Sequence, residues 1–148
     1  MAFFMSSGAT PQAGGDAAEL EMPLRTDEDV VRLRKTVREM AVQIGLSLVD
    51  QTKLVTAASE LARNTLRYGG GGEVRLRLLS NGFERGLHVV FSDRGPGIAD
   101  VGLAMSDGYT TGGGLGLGLG GAKRLVDDFG IDTRPGEGTT VRITKWKR

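Results

Sequence analysis

A chain of 148 residues, 39% hydrophobic and with a formal net charge of +1, can build one soluble domain but lacks the positive charge of a protein that coats nucleic acid. The absence of cysteine excludes a disulfide framework and thiolate metal sites, and a single histidine excludes a zinc site built from imidazoles. No apolar run reaches bilayer-spanning length and the opening residues are too short for a signal-peptide core, so the sequence reads as a cytoplasmic protein, with neither membrane nor nucleic acid among its partners.

Residues 1–18 are rich in Ala, Gly, Ser and Pro without an apolar period, and are expected to form a flexible tail ahead of one domain over residues 19–148. Leu20, Met22 and Leu24 alternate as in a strand, which Pro23 confines to a sheet edge or a strand end. Thr26 reads as a helix N-cap followed by Asp27, Glu28 and Asp29, and Val30, Leu33, Val37, Met40, Ala41 and Ile44 keep the helical period until Gly45 stops it. Ser47 and Asp50 have the spacing of a capping box that opens a second helix, in which Leu54, Val55, Ala58, Leu61, Ala62 and Leu66 share one face. On that helix Asn64 borders the apolar arc, while Glu60 lies further round, where a solvated position is expected.

After Gly69–Gly72, the alternations Val74, Leu76, Leu78 and Leu87, Val89, Phe91 predict an antiparallel pair joined near Ser80, Asn81 and Gly82. The one histidine, His88, falls mid-strand and reads as a sheet residue. Glycines dominate from Gly95 to Gly121, a helix is expected through Lys123–Asp127, and strands near Ile131 and over Val141–Ile143 close the chain. Trp146 has the parity opposite to Val141 and Ile143, which leaves two readings, a contact surface or packing over the sheet edge by a neighbouring helix. The fold class is α+β, a two-layer sandwich with helices on one face of a mixed, mostly antiparallel sheet.

Asp93 shares the parity of Leu87, Val89 and Phe91, and Thr139 that of Val141 and Ile143, which puts two polar groups on the helix-covered face at strand ends. Buried polar groups need partners, and glycines beside both would let a flat ligand approach; capped turns are the alternative. In "GGGLGLGLGGAKRLVDDFG", Gly112–Gly130, glycines lead into a helix whose unpaired N–H groups attract phosphate, although such stretches are also simply flexible. Neither a Walker loop nor a dinucleotide-binding fingerprint is present.

The order Glu60-x-x-x-Asn64, Asp93-x-Gly95-x-Gly97, Gly114-Leu115-Gly116-Leu117-Gly118-Leu119 and Gly138-Thr139 resembles the GHKL superfamily, the Bergerat ATP-binding fold of gyrase, Hsp90, histidine kinases and MutL. The stretches "ASELARN", "DRGPGI" and "GTTVRITKW" are similar, within it, to the RsbT-type serine/threonine switch kinases of the bacterial stressosome, over about Glu19 to the end. The resemblance implies ATP and Mg²⁺ as cofactors, with Asn64 on the metal and Asp93 accepting from the adenine amino group. It has Thr139 supporting that contact through its hydroxyl and a water, Gly95 and Gly97 giving the base room, and Gly116, Leu117 and Gly118 cradling phosphate. Arg67 and Tyr68 match a pair near phosphate and ribose, and Glu60 matches the catalytic acid/base residue. The implied activity is phosphorylation of STAS-domain antagonist or scaffold proteins in a stress-response partner switch, followed by release to activate a PP2C-type phosphatase. The alternative is a nucleotide-gated binding module or anti-sigma factor with little phosphotransfer, and the experiment that separates them is transfer of labelled phosphate to STAS proteins.

Overall fold

A computed structural model describes residues 3–7, 19–106 and 118–148. The elements in chain order are β1 (Phe3–Ser7), β2 (Glu19–Leu24), α1 (Asp27–Gln43), α2 (Leu48–Arg67), β3 (Gly72–Ser80), β4 (Arg85–Asp93), α3 (Val101–Ala104), α4 (Gly118–Arg124), β5 (Asp128–Arg134) and β6 (Gly138–Trp146). The strands form one sheet in the order β1-β5-β6-β4-β3-β2, and every pairing is antiparallel, so the expected mixed sheet contains no parallel pair among the described residues. Phe3–Ser7 lie within the stretch expected to be a flexible tail, yet pair with β5. An uncovered sheet edge offers N–H and C=O groups that a short extended segment can satisfy.

Local signals place the helices. Thr26 accepts from the Asp29 N–H at 3.2 Å and the Asp29 carboxylate returns a bond to the Thr26 N–H at 3.2 Å, a reciprocal capping box that starts α1. The Ser47 hydroxyl accepts from the Asp50 N–H at 3.1 Å and starts α2. Apolar faces of both helices cover one side of the sheet: Leu33, Val37, Leu54, Ala58 and Leu61 pack with Val74, Leu76, Val89, Phe91, Ile131 and Ile143 in one core. In its second half α2 is buried nearly all round, through Ala57, Ala58, Ser59, Glu60, Leu61 and Ala62, because it touches α1, α4 and the sheet.

The helix expected through Lys123–Asp127 ends earlier, at Arg124. The Asp127 N–H donates to the Thr144 carbonyl at 3.0 Å and its carboxylate accepts from the Trp146 N–H at 2.7 Å, so bonds to β6 outbid another helical turn. Trp146 is buried on the sheet face away from the helices, its ring over Gly86 and its Nε1 donating to Asp128 at 3.0 Å, so it packs as expected of the second reading, but against neighbouring strands and not a helix. Lys145, on the helix side, is buried between Asp50 at 3.6 Å and Asp127 at 3.4 Å.

His88 is a sheet residue, with Nδ1 2.7 Å from the Thr144 hydroxyl oxygen. Burial, reinforced by Arg77 and Arg142, pushes its pKa from an ordinary 6.5 down to about 4. The unfolded chain therefore takes up this proton first as pH falls. Stability from this group is complete above about pH 6.5 and declines by roughly 2–3 kcal/mol down to pH 4. Chemical denaturation across that range is expected to show a flatter slope for His88→Gln, which has no such proton to gain; an unchanged slope refutes the assignment.

Candidate functional site

The ends of three strands meet beneath the C-terminal half of α2. Asp93, last in β4, pairs across to Gly72 on one side and to Thr139, near the start of β6, on the other, and Thr139 pairs in turn with Thr133 of β5. Above them opens a cavity of about 550 Å³, within the range of small-molecule sites. Asn64 and Arg67 of α2, with Tyr68 at its C-cap, line one wall; Asp93 and Thr139 line the floor; Gly97, Ile98, Leu103, Gly118 and Leu119 complete it.

Asp93 is the half-buried acid of this floor. Its Oδ1 accepts the Gly95 N–H at 2.8 Å. Burial pushes its pKa above the ordinary carboxylate value, opposed by the N–H groups of Gly95 and Thr139. A carboxylate withdrawn from water but still facing a cavity is an acceptor in want of a donor. Glycines make this placement possible. A Cβ on Gly69 would strike the Asp93 carboxyl group, and one on Gly138, whose φ is +93°, would strike the Asp93 carbonyl oxygen.

Seven of the residues singled out in the sequence, Asn64, Arg67, Tyr68, Asp93, Gly97, Gly118 and Thr139, share this cavity. Gly95 stands beside it rather than in its wall; a Cβ there would lie 2.7 Å from the Gly69 Cα, so the glycine serves close backbone packing. Gly97 lines the cavity with φ +75°, and a Cβ there would collide with the Arg134 carbonyl oxygen. Gly116 and Leu117 lie outside the described residues, as does the stretch of the glycine-rich segment before them back to residue 107. Glu60 departs from expectation: it is not solvated but 7% exposed, in the all-round-buried part of α2, with Oε1 3.2 Å from Arg63 Nη1. One turn separates it from Asn64, and it is not among the cavity-lining residues.

Sequence reasoning passed over Gly69, Gly120 and Thr133. Thr133 shares the parity of Phe129 and Ile131, a signal that was legible; the tasks of Gly69 and Gly120 depend on contacts distant in sequence. Gly120 in α4 faces the Met105 carbonyl oxygen, which a Cβ would strike. Alanine ordinarily gains about 1 kcal/mol over glycine inside a helix, but here overpacking costs roughly 1–3 kcal/mol. Gly120→Ala is accordingly expected to lower the melting temperature; a rise would show that the backbone yields freely.

Among the described residues no group of three or more His, Asp or Glu side chains converges as a metal site, and no helix is long and apolar enough to cross a membrane. Asn64 lines the cavity with an amide whose oxygen can serve a divalent cation as a ligand.

A helix-backed antiparallel sheet with an acid and a threonine at the floor of a cavity, and a glycine-led helix at its rim, is the arrangement of a nucleotide-binding ATPase domain. The chain belongs to the histidine kinase-, DNA gyrase B-, and HSP90-like ATPase family, whose profile matches residues 49–148. It is 42% identical to the serine/threonine-protein kinase RsbT of Bacillus subtilis (strain 168) over 125 residues, covering 84% of this chain and 94% of that protein. It is also 28% identical over 119 residues to the anti-sigma F factor of Thermoanaerobacter sp. (strain X514), covering 76% of this chain and 82% of that one. The solved RsbU and RsbW domains of a Mycobacterium tuberculosis protein superpose with a TM-score of 0.59 at 22% identity, a likeness of fold that covers 93% of this chain and 34% of that one.

Proposed function

We infer that the chain is an ATP-dependent serine/threonine protein kinase of the RsbT type, which phosphorylates a STAS-domain partner and on release activates a PP2C-type phosphatase by binding it. The observation that carries the reading is Asp93, a half-buried acceptor on the floor of a ligand-sized cavity, in a chain 42% identical to a serine/threonine kinase over most of its length.

In this reading Asp93 accepts from the adenine amino group and Thr139 supports that contact. The helix start at Gly118, where φ is +58°, offers N–H groups to phosphate, with Arg67 and Tyr68 at the rim. Asn64 supplies a side-chain ligand to Mg²⁺, which when bound neutralises charge on the phosphates. Phosphoryl transfer forms a bond from the acceptor hydroxyl oxygen to the γ-phosphorus and breaks the bond to the bridging oxygen, so that ADP leaves. Glu60 takes the hydroxyl proton.

The burial of Glu60 and its pairing with Arg63 favour a second reading, a nucleotide-gated binding module that captures a partner with little phosphotransfer. Labelled ATP with candidate STAS proteins separates the two. Transfer to a Ser or Thr of a partner is the expected result, whereas tight nucleotide-dependent capture without transfer establishes the binding module.

A further inference from the structure

Glu60, Arg63, Asn64 and Arg67 are spaced i, i+3, i+4 and i+7 and so form one polar stripe along α2. Asn64 and Arg67 line the cavity, whereas Glu60 and Arg63 continue the stripe toward the N-terminus of the helix, beyond the cavity wall. The outer two differ in exposure. The Glu60 side chain is 10% exposed and that of Arg63 37%, and Arg63 Nη1 donates to Glu60 Oε1 at 3.2 Å. Among the described residues Arg63 is the one partner of this carboxylate. A pair that merely stabilised the helix would keep both ends in solvent, and here the acid is buried.

A carboxylate withdrawn this far from water persists as an anion only beside a counter-charge; without one it takes up a proton and becomes neutral. A neutral acid cannot receive the proton of an attacking hydroxyl. We propose that Arg63 is a positioning residue for phosphotransfer: its guanidinium keeps Glu60 ionised in its buried place and fixes the direction of the carboxylate, one helical turn from Asn64. The guanidinium carries its charge at every pH at which the chain is folded, so the base stands ready before an acceptor arrives. On transfer the acceptor O–H bond breaks as the bond to the γ-phosphorus forms, and Glu60 takes the proton. The positive charge of Arg63 then favours the loss of that proton to water, which restores the carboxylate.

This inference rests on the reading of Glu60 as the base, and the test separates the two. Steady-state transfer of labelled phosphate to a STAS-domain protein is measured together with calorimetric titration of Mg-ATP on the same samples. Arg63→Met keeps the apolar stem but not the charge. It is expected to lower kcat by about 10-fold or more while KM for the STAS protein and Mg-ATP affinity stay native, the affinity also reporting an intact fold; Arg63→Lys is expected to restore most of kcat. In a Glu60→Gln background Arg63→Met is expected to change kcat by less than about 2-fold, because no carboxylate remains to hold. Arg63→Gln, which keeps a hydrogen bond without the charge, replaces the methionine variant if that one melts early. Melting curves need no acceptor: Arg63→Met is expected to lower the melting temperature more in the native background than in the Glu60→Gln background. A native kcat in a charge-lacking variant, a loss carried by KM for the STAS protein, or equal effects in the two backgrounds overturns the inference. Native transfer in Glu60→Gln alone overturns the base reading instead.

Discussion

Asp93→Asn is expected to lower Mg-ATP affinity by about 100-fold or more while the chain melts no lower than the native protein. Two losses combine. The charge-assisted bond to the adenine amino group, worth about 1.5–3 kcal/mol, disappears, and an amide NH₂ turned toward that amino group leaves a desolvated donor unpaired, at a further cost of about 1–3 kcal/mol. The fold is spared for a reason visible in the free protein. Burial is the leading influence on Asp93 and raises its pKa, so its ionised form is a burden on the native state that a neutral amide removes. The same shift has a pH consequence: the native state binds this proton more readily than the unfolded chain, so the group favours folding at low pH and its contribution is lost as pH rises through the raised value. Calorimetry with Mg-ATP and a melting curve test both halves. Unchanged affinity removes Asp93 from the site.

Glu60→Gln is expected to leave Mg-ATP affinity nearly unchanged while phosphotransfer to a Ser or Thr acceptor falls by about 10²-fold or more. Glutamine keeps the shape and can still meet Arg63, so the buried position tolerates it, but it cannot take a proton. Asn64→Ala, one turn away and in the cavity wall, is expected to damage binding and transfer together, because in the proposed reading it holds metal and phosphate as a unit. Partner capture should survive the Glu60 change and give a complex that ATP no longer dissolves. A native transfer rate in Glu60→Gln removes Glu60 as the base. Because Glu60 is buried and ion-paired rather than solvated, a productive role requires the incoming partner or nucleotide to expose it, and the transfer assay measures that directly.

Much of this was legible without coordinates because it is local or periodic. The caps at Thr26 and Ser47, the core faces of α1 and α2, and the parity that puts Asp93 and Thr139 on the covered side of the sheet follow from repeats of 3.6 and 2 residues. The motif order pointed to the family to which the chain belongs. What periodicity could not supply was competition between partners distant in sequence. A helical wheel built on α2 alone puts Glu60 toward solvent; only the neighbours packed against α2 bury it. Leu125–Asp127 have helical company in sequence, but Asp127 finds the N–H of Trp146 and the carbonyl of Thr144 and leaves the helix for them.

The sequence by itself determined the α+β class, the order of the elements other than β1 and α3, the face on which the polar strand ends lie and the family. Each depends on chemistry within a few residues or on a repeating period. Tertiary structure alone decided the order of strands across the sheet, the edge pairing of Phe3–Ser7, the burial of Glu60, and the meeting of Gly69, Gly138 and Thr133 around Asp93 and Thr139. These depend on which surfaces exclude water from one another and on hydrogen bonds between segments far apart in the chain, and no local pattern carries that information.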